Sequence, residues 1–237
     1  MKNQEPDIFG LAALDYLAGN KEACIMVEID IAGTDPLPVS YLFRNYRSMP
    51  ALEKKALNLC RGKILDVGAG TGTHALWLQK KGFEVHALDP SEGMVKIMQK
   101  KGVKNIHNCK LTEYNQNGFD TILLLMNGIG LAGTLKNLKP FLKHAKSLLN
   151  PGGQILLEST NILYVFEQED GSYLVPLHDR YYGEVEMTAK YLDLSSKPFK
   201  WLYVDIDTLT FDSGKVGFST NIITTGRNGN YLASLTI

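Results

Sequence analysis

The stretch Lys63-Ile64-Leu65-Asp66-Val67-Gly68-Ala69-Gly70-Thr71-Gly72 runs from a short apolar strand straight into three glycines at alternate positions. Thr73–Lys81 follows with the composition of a helix and closes at Gly82. A strand that ends in glycines and opens a helix is a ligand site by construction. Glycine lets the backbone pass close to a ligand, and the helix start presents N–H groups with no partner inside the helix. Glu84–Leu88 reads as a second strand and ends at Asp89, where a carboxylate can accept both hydroxyls of a ribose lying over the sheet's switch point. Together the glycines and Asp89 point to an adenosine-containing cofactor.

The choice of cofactor rests on two residues. The dinucleotide fingerprint G-x-G-x-x-G would need glycine at the position of Thr73. Asp66, just before the first glycine, would repel a pyrophosphate but suits a ligand bearing an ammonium group. S-adenosylmethionine carries an α-amino group and a sulfonium and no phosphate, so electrostatics favours it over NAD. An NAD(P)-dependent oxidoreductase and a catalytically silent cofactor-binding protein stand as the alternatives.

Outward from the loop, residues 61–160 alternate strands and helices with short connections. Ser91 can cap a helix that stops at Gly102, and Asn105–Cys109 is a weak third strand. Phe119–Met126, with Ile122-Leu123-Leu124-Leu125, is apolar on both faces, as in the middle of a parallel sheet covered on each side. Thr134–Leu149 reads as a helix containing Pro140, and Pro151-Gly152-Gly153 turns the chain into the strand Gln154–Glu158. This alternation predicts right-handed crossovers and a doubly wound, mostly parallel, Rossmann-like α/β sheet.

Residues 1–60 read as a helical N-terminal cap segment. It contains an extended run at Ile25–Ile31 that breaks at Gly33-Thr34-Asp35-Pro36, then the aromatic and basic stretch Tyr41–Arg47. Residues 161–237 read as a β-rich insertion completed by final antiparallel strands. Tyr182–Tyr191 and Phe199–Asp205 are joined there by a turn, Asp207–Ser213 is a short helix, and a hairpin spans Gly217–Thr225 and Tyr231–Ile237.

The 237 residues hold 25 basic and 25 acidic side chains, and 44% are hydrophobic, which fits a globular core with no general pull toward a polyanion or a membrane surface. Nucleic acid is not indicated as a partner, and a small-molecule substrate is expected. Cys24, Cys60 and Cys109 lack metal or redox spacing, so free thiols, a cytoplasmic location and no metal are expected. No apolar run is long enough for a membrane span or a leader.

Lys63–Gly72 resembles the first motif of the class I S-adenosylmethionine-dependent methyltransferases. Asp89 matches that family's ribose acid, and Leu149-Asn150-Pro151-Gly152-Gly153-Gln154-Ile155-Leu156-Leu157 is similar to its "LxPGG" entry into the fifth strand. The resemblance implies a seven-stranded sheet with the last strand reversed. It also implies a cofactor site at Asp66, Gly68, Ala69, Gly70, Gly72, Asp89, Pro90, Ser91, Met94, Leu111, Met126 and Asn127. Met94 would cover the adenine. Many members place an acid after the third strand; this chain has Lys110, which cannot accept a hydrogen bond from the adenine amino group.

Methyl transfer needs alignment and desolvation more than a dedicated base. Candidates for acceptor binding or proton removal are Tyr41, Arg44, Tyr46 and Arg47 in the first segment, Asn127 after the fourth strand, and His178, Tyr181, Tyr182 and Glu184 in the last segment. An arginine at 44 or 47 suits an anionic acceptor, and His178 or Glu184 suits taking a proton.

Overall fold

The computed structural model describes residues 5–175 and 180–237. In chain order the elements begin with α1 (Ile8–Ala18), β1 (Cys24–Ile29), β2 (Gly33–Pro38), α2 (Ala51–Leu59), β3 (Ile64–Val67) and α3 (Thr73–Lys80). Next come β4 (Val85–Leu88), α4 (Glu92–Lys101), β5 (Asn105–His107), β6 (Phe119–Leu124), α5 (Leu135–Leu148) and β7 (Leu149–Thr160). The chain finishes with β8 (Glu184–Tyr191), β9 (Leu194–Ser195), β10 (Phe199–Leu202), α6 (Ile206–Val216), β11 (Ser219–Thr225) and β12 (Asn230–Thr236). No described helix is long and apolar enough to cross a membrane.

The larger sheet has seven strands in the order β11-β12-β7-β6-β3-β4-β5. β4 pairs parallel with β5, and β6 with β7. β12 is antiparallel to both of its neighbours, β7 and β11, so the final strand is the reversed one. This is the Rossmann-like arrangement expected from the alternating pattern. All four residues of β3 and of β4 are buried, as strands covered on both faces must be.

The chain divides into two compact units, each discontinuous in sequence. The first comprises Met1–Met49, Leu65–Tyr114 and Glu186–Phe199. Here Asp7 starts α1 by accepting the Gly10 amide, and α1 packs Ile8, Ala12 and Ala13 into one apolar cluster with Ile25 of β1, Met94 and Ile97 of α4, and Ala189 of β8. α4 has the predicted ends: Ser91 caps its start, and Gly102 closes it in the left-handed conformation at φ 83°.

One stretch of the first segment differs from its sequence reading. Gly33-Thr34-Asp35-Pro36, expected to break an extended run, opens strand β2, which pairs antiparallel with β1 from Cys24 opposite Pro38 to Ile29 opposite Gly33. β2 ends the order β10-β8-β1-β2 of a second sheet. An edge strand tolerates Pro36 and Pro38 because only one side of its backbone has to donate. Strands from the two ends of the sequence thus share a sheet, with Met26 opposite Lys190 and Ile29 opposite Met187.

The second unit comprises Pro50–Ile64, Asn115–Val185 and Lys200–Ile237. The Pro151-Gly152-Gly153 turn lies inside the span of β7. Phe119 faces Leu149 and Thr121 faces Gln154, so the intervening residues loop out before regular pairing begins. α6 is longer than the short helix expected at Asp207–Ser213: Asp205 caps it so that it begins at Ile206, and it runs on to Val216 before Gly217 ends it at φ 84°.

Candidate functional site

In the first unit the loop after β3 is a tight turn built on left-handed glycines, with φ of 69° at Gly68, 54° at Gly70 and 75° at Gly72. The Ala69 amide donates to the Leu88 carbonyl and the Gly72 amide to the Ala69 carbonyl, both at 2.9 Å. Gly72 stands at the start of α3, where a Cβ would come within 2.9 Å of both Met98 Cγ and Val103 Cγ2, so this glycine is needed for packing. Gly70 is different: a Cβ there would meet nothing within 4 Å. Its face is open surface beside the loop, as a ligand lying on the backbone requires.

Asp89, at the end of β4, is 7% exposed. Its Oδ2 accepts the Gly70 amide at 2.7 Å and its Oδ1 accepts the Ser91 amide at 2.9 Å. A carboxylate oxygen has two lone pairs, so each keeps capacity for one further donor. Burial pushes this carboxyl up to about 6; the Ser91 and Gly70 amides oppose the shift, and the charges of Asp7 and Asp66 add to it. Asp66, on β3, is 2% exposed. Asp66 and Asp89 thus place two acids at the ends of neighbouring strands.

Of the other expected cofactor residues of this unit, Ser91 is bound to Asp89 and Met94 to Ser91. Ser91 Oγ accepts the Met94 amide at 3.0 Å and donates to Asp7 Oδ2 at 2.7 Å. Met94 is 4% exposed and belongs to the cluster that seats α1. Leu111 is buried at the start of a 3₁₀ turn, and the amide of Lys110 donates to Glu113 Oε2 at 3.1 Å. Asn108, in the stretch where an acid would be usual, donates through Nδ2 to the Asp89 carbonyl at 3.0 Å.

Tyr41–Arg47 forms two 3₁₀ turns, Val39–Phe43 and Tyr46–Ser48. The Leu42 carbonyl accepts from the Thr71 hydroxyl and, at 3.2 Å, from the Thr73 hydroxyl, which fastens this stretch to the glycine loop. Lys101 holds the loop from another side, donating to the Thr71 carbonyl at 2.8 Å. Arg44 is buried, stacks its guanidinium 3.9 Å from the Tyr41 ring centre and donates to the Tyr41 carbonyl. Tyr46 stacks on Trp77 of α3 with ring centres 4.5 Å apart. The sequence pointed to the aromatic and basic composition here; that Leu42 carries it to the loop is visible only in the fold.

In the second unit, Met126 and Asn127 follow β6 with φ of 56° and 54°. Two successive non-glycine residues in the left-handed region are uncommon, and two buried partners hold them. The Met126 amide donates to Glu158 Oε2 at 3.0 Å, and Asn127 Oδ1 accepts the Thr160 hydroxyl at 2.7 Å. Sequence reasoning missed Glu158 and Thr160, because their link to this turn crosses from β7.

Tyr181 and Tyr182 meet at Asp205. The Tyr181 hydroxyl donates to Asp205 Oδ2, and the single Tyr182 hydroxyl proton is shared between Asn161 Oδ1 at 2.9 Å and Asp205 Oδ2 at 3.2 Å. Burial, with the negative charge of Asp205, pushes the Tyr182 hydroxyl up to about 12. Glu184 Oε1 accepts the Leu135 amide at the start of α5, at 2.9 Å, on the wall of a cavity of about 650 Å³ lined also by Tyr181, Lys139, Thr208 and Phe211. His178 lies outside the described residues. Among the described residues no group of three or more His, Cys, Asp or Glu is placed to hold a metal ion.

A doubly wound sheet whose first strand enters a glycine turn, with an acid at the end of the second, defines an adenosine-cofactor protein. Comparison with known proteins narrows the class. Residues 41–196 match a family model described as a methyltransferase domain. A Bacteroides fragilis protein, solved as a "SAM-dependent methyltransferase" in complex with S-adenosyl-L-homocysteine, is 42% identical over 98% of this chain and 94% of that one, with a TM-score of 0.91. Glycine N-methyltransferase of Mus musculus is 26% identical over 122 residues, 44% of this chain. A 23S rRNA (uracil(747)-C(5))-methyltransferase of Pyrococcus abyssi is 35% identical over 69 residues, 29% of this chain. The matches span 42% and 17% of those two curated relatives. The chain belongs to the class I S-adenosylmethionine-dependent methyltransferases. Its cofactor is therefore S-adenosylmethionine, in place of the nicotinamide alternative.

Proposed function

We propose that this methyltransferase acts on a small molecule and holds S-adenosylmethionine across the Gly68–Gly72 turn of its first unit. The observation that carries the reading is the Asp89 carboxylate, fixed by the Gly70 and Ser91 amides beside the open face of Gly70. Each Asp89 oxygen retains a lone pair for one ribose hydroxyl. Gly68 and Gly70 let the backbone run along the methionine part, and Asp66 faces the α-amino group with opposite charge. Leu111 and backbone groups near Asn108 serve the adenine in place of the missing acid.

When bound, the cofactor supplies a methyl group on a positive sulfur, whose transfer depends on in-line alignment and exclusion of water. Tyr41 and Arg44, carried to the loop through Leu42, are the residues of this unit suited to meeting the acceptor. Arg44 gives that side a fixed positive charge and favours an anionic acceptor. The Tyr182 hydroxyl, committed to Asn161 and Asp205, acts in packing. The equal counts of 25 acidic and 25 basic residues support a small acceptor over a polyanion.

Radiolabelled methyl transfer from S-adenosylmethionine into fractions of a cell extract tests the reading. Label in the low-molecular-weight fraction is the expected result. Label confined to RNA overturns the small-molecule assignment, and no label in any fraction favours a silent binder.

A further inference from the structure

Asp7 caps two helices at once. Its Oδ1 accepts the Gly10 amide at 3.0 Å and starts α1. Its Oδ2 accepts the Ser91 hydroxyl at 2.7 Å and the Gly93 amide at 2.9 Å, both at the start of α4. The first amides of a helix have no partner within it. At α4 these donors are shared out: Met94 to Ser91 Oγ, Gly93 to Asp7, and the Ser91 amide to Asp89. Ser91 is therefore gripped from both sides, its hydroxyl by Asp7 and its amide by Asp89. The two helix backbones touch here, since a Cβ on Gly93 would lie 2.5 Å from Gly10 Cα. Asp15, nearer the other end of α1, is bound separately by Asn20 and the Tyr191 hydroxyl.

We infer that Asp7 is a positioning residue of the cofactor site: acting through Ser91, it holds the Asp89 carboxylate in the orientation that receives the ribose. This rests on reading Asp89 as the ribose acceptor. Without Asp7 the Ser91 hydroxyl loses its acceptor and α1 loses its grip on α4. The Ser91 amide can then drift from Asp89 Oδ1, leaving the carboxylate held by Gly70 alone and free to turn. Docking of α1 and binding of cofactor become linked equilibria, each favouring the other.

Calorimetric titration of S-adenosylhomocysteine into the full chain tests this with wild type, Asp7→Ala, Ser91→Ala and the double variant. Asp7→Ala is expected to weaken binding about tenfold, the scale of one lost helix cap. The double variant is expected to bind no more weakly than the worse single one, because both act on one chain of contacts. Asp15→Ala, which loosens α1 at its other anchor, is expected to stay within about twofold of wild type. Where Asp7→Ala does not fold, Asp7→Asn, which keeps one acceptor oxygen, is expected to give a smaller loss. Wild-type affinity in the Asp7 variants, additive losses in the double variant, or an equal loss in Asp15→Ala overturns the inference. A folded wild type that does not bind S-adenosylhomocysteine overturns the cofactor-site reading itself, and this inference with it.

Discussion

Gly70 and Asp89, 19 residues apart in sequence, are joined by a single hydrogen bond, the glycine amide donating to the carboxylate Oδ2 at 2.7 Å. It ties the turn after β3 to the end of β4, so the two features on which the proposed cofactor site rests hold each other in place. Asp89→Ala removes the proposed ribose acceptor and the acceptor of the Gly70 amide. It is expected to weaken S-adenosylhomocysteine binding by about 1–3 kcal/mol. Calorimetric titration measures this, and unchanged affinity would show that the carboxylate faces another partner.

Binding is expected to depend on pH through the same group. Burial places the Asp89 carboxyl at about 6, with Asp7 and Asp66 contributing like charge. With each oxygen already accepting one amide, only the ionised form leaves a free lone pair on both. Affinity should therefore hold above pH 6 and decline as pH falls below it. The sign for stability is opposite: because the folded value is raised, the ionised group costs the empty protein stability above pH 6, and protonation relieves that cost as pH falls toward 4. Titrations from pH 5 to 8 check the binding limb, which should vanish in Asp89→Ala.

Gly70 and Gly72 should fail differently when substituted. Gly70→Val puts its side chain into open space and is expected to abolish cofactor binding while circular dichroism remains native, apart from local strain at φ 54°. Gly72→Ala drives a Cβ to 2.9 Å from Met98 and Val103 and is expected to lower stability by about 1–3 kcal/mol. If Gly70→Val retains its affinity, the loop does not carry the ligand.

Met126 supplies a test of backbone strain. At φ 56° an L-residue is disfavoured by about 1–2 kcal/mol, whereas glycine is not. Met126→Gly and Met126→Ala lose the same packing beyond Cβ. The glycine variant is expected to be the more stable of the two by about 1 kcal/mol, reversing the usual order. Paired urea melts decide it, and an alanine variant of equal or greater stability would refute the strain.

Tyr182→Phe removes the one hydroxyl proton shared between Asn161 and Asp205. Its expected effect is a loss of about 1 kcal/mol in stability. Methyl transfer by the folded variant should continue at a rate close to wild type. A collapse of activity without a change in melting temperature would return Tyr182 to the chemistry.

Much of the larger sheet and its helices was legible because the signals are local. Gly68, Gly70 and Gly72 mark a turn that only positive φ allows, Ser91 and Gly102 bound a helix by capping, and Ile122-Leu123-Leu124 announces a doubly covered strand. Gly33-Thr34-Asp35-Pro36 reads as a break for the same reason. Its glycine and proline argue locally for one, and only pairing with β1 makes it part of a strand. The tyrosines at 181 and 182 suggested chemistry by composition, but Asp205, across the unit's fold, engages both hydroxyls.

Dihedral preference and apolar period, acting within a few neighbours, are enough to specify the glycine turn, the acid that follows the next strand and the order of strands and helices. What that acid touches emerges only in the folded chain. A carboxylate takes its orientation from donors brought by other elements: here Gly70 from the preceding turn and Ser91 from the head of α4. Ser91 in turn is held by Asp7, 84 residues earlier in the chain. Contacts between residues so far apart leave no periodic or spacing signal, because they exist only once the hydrophobic packing of α1 on α4 has brought them together.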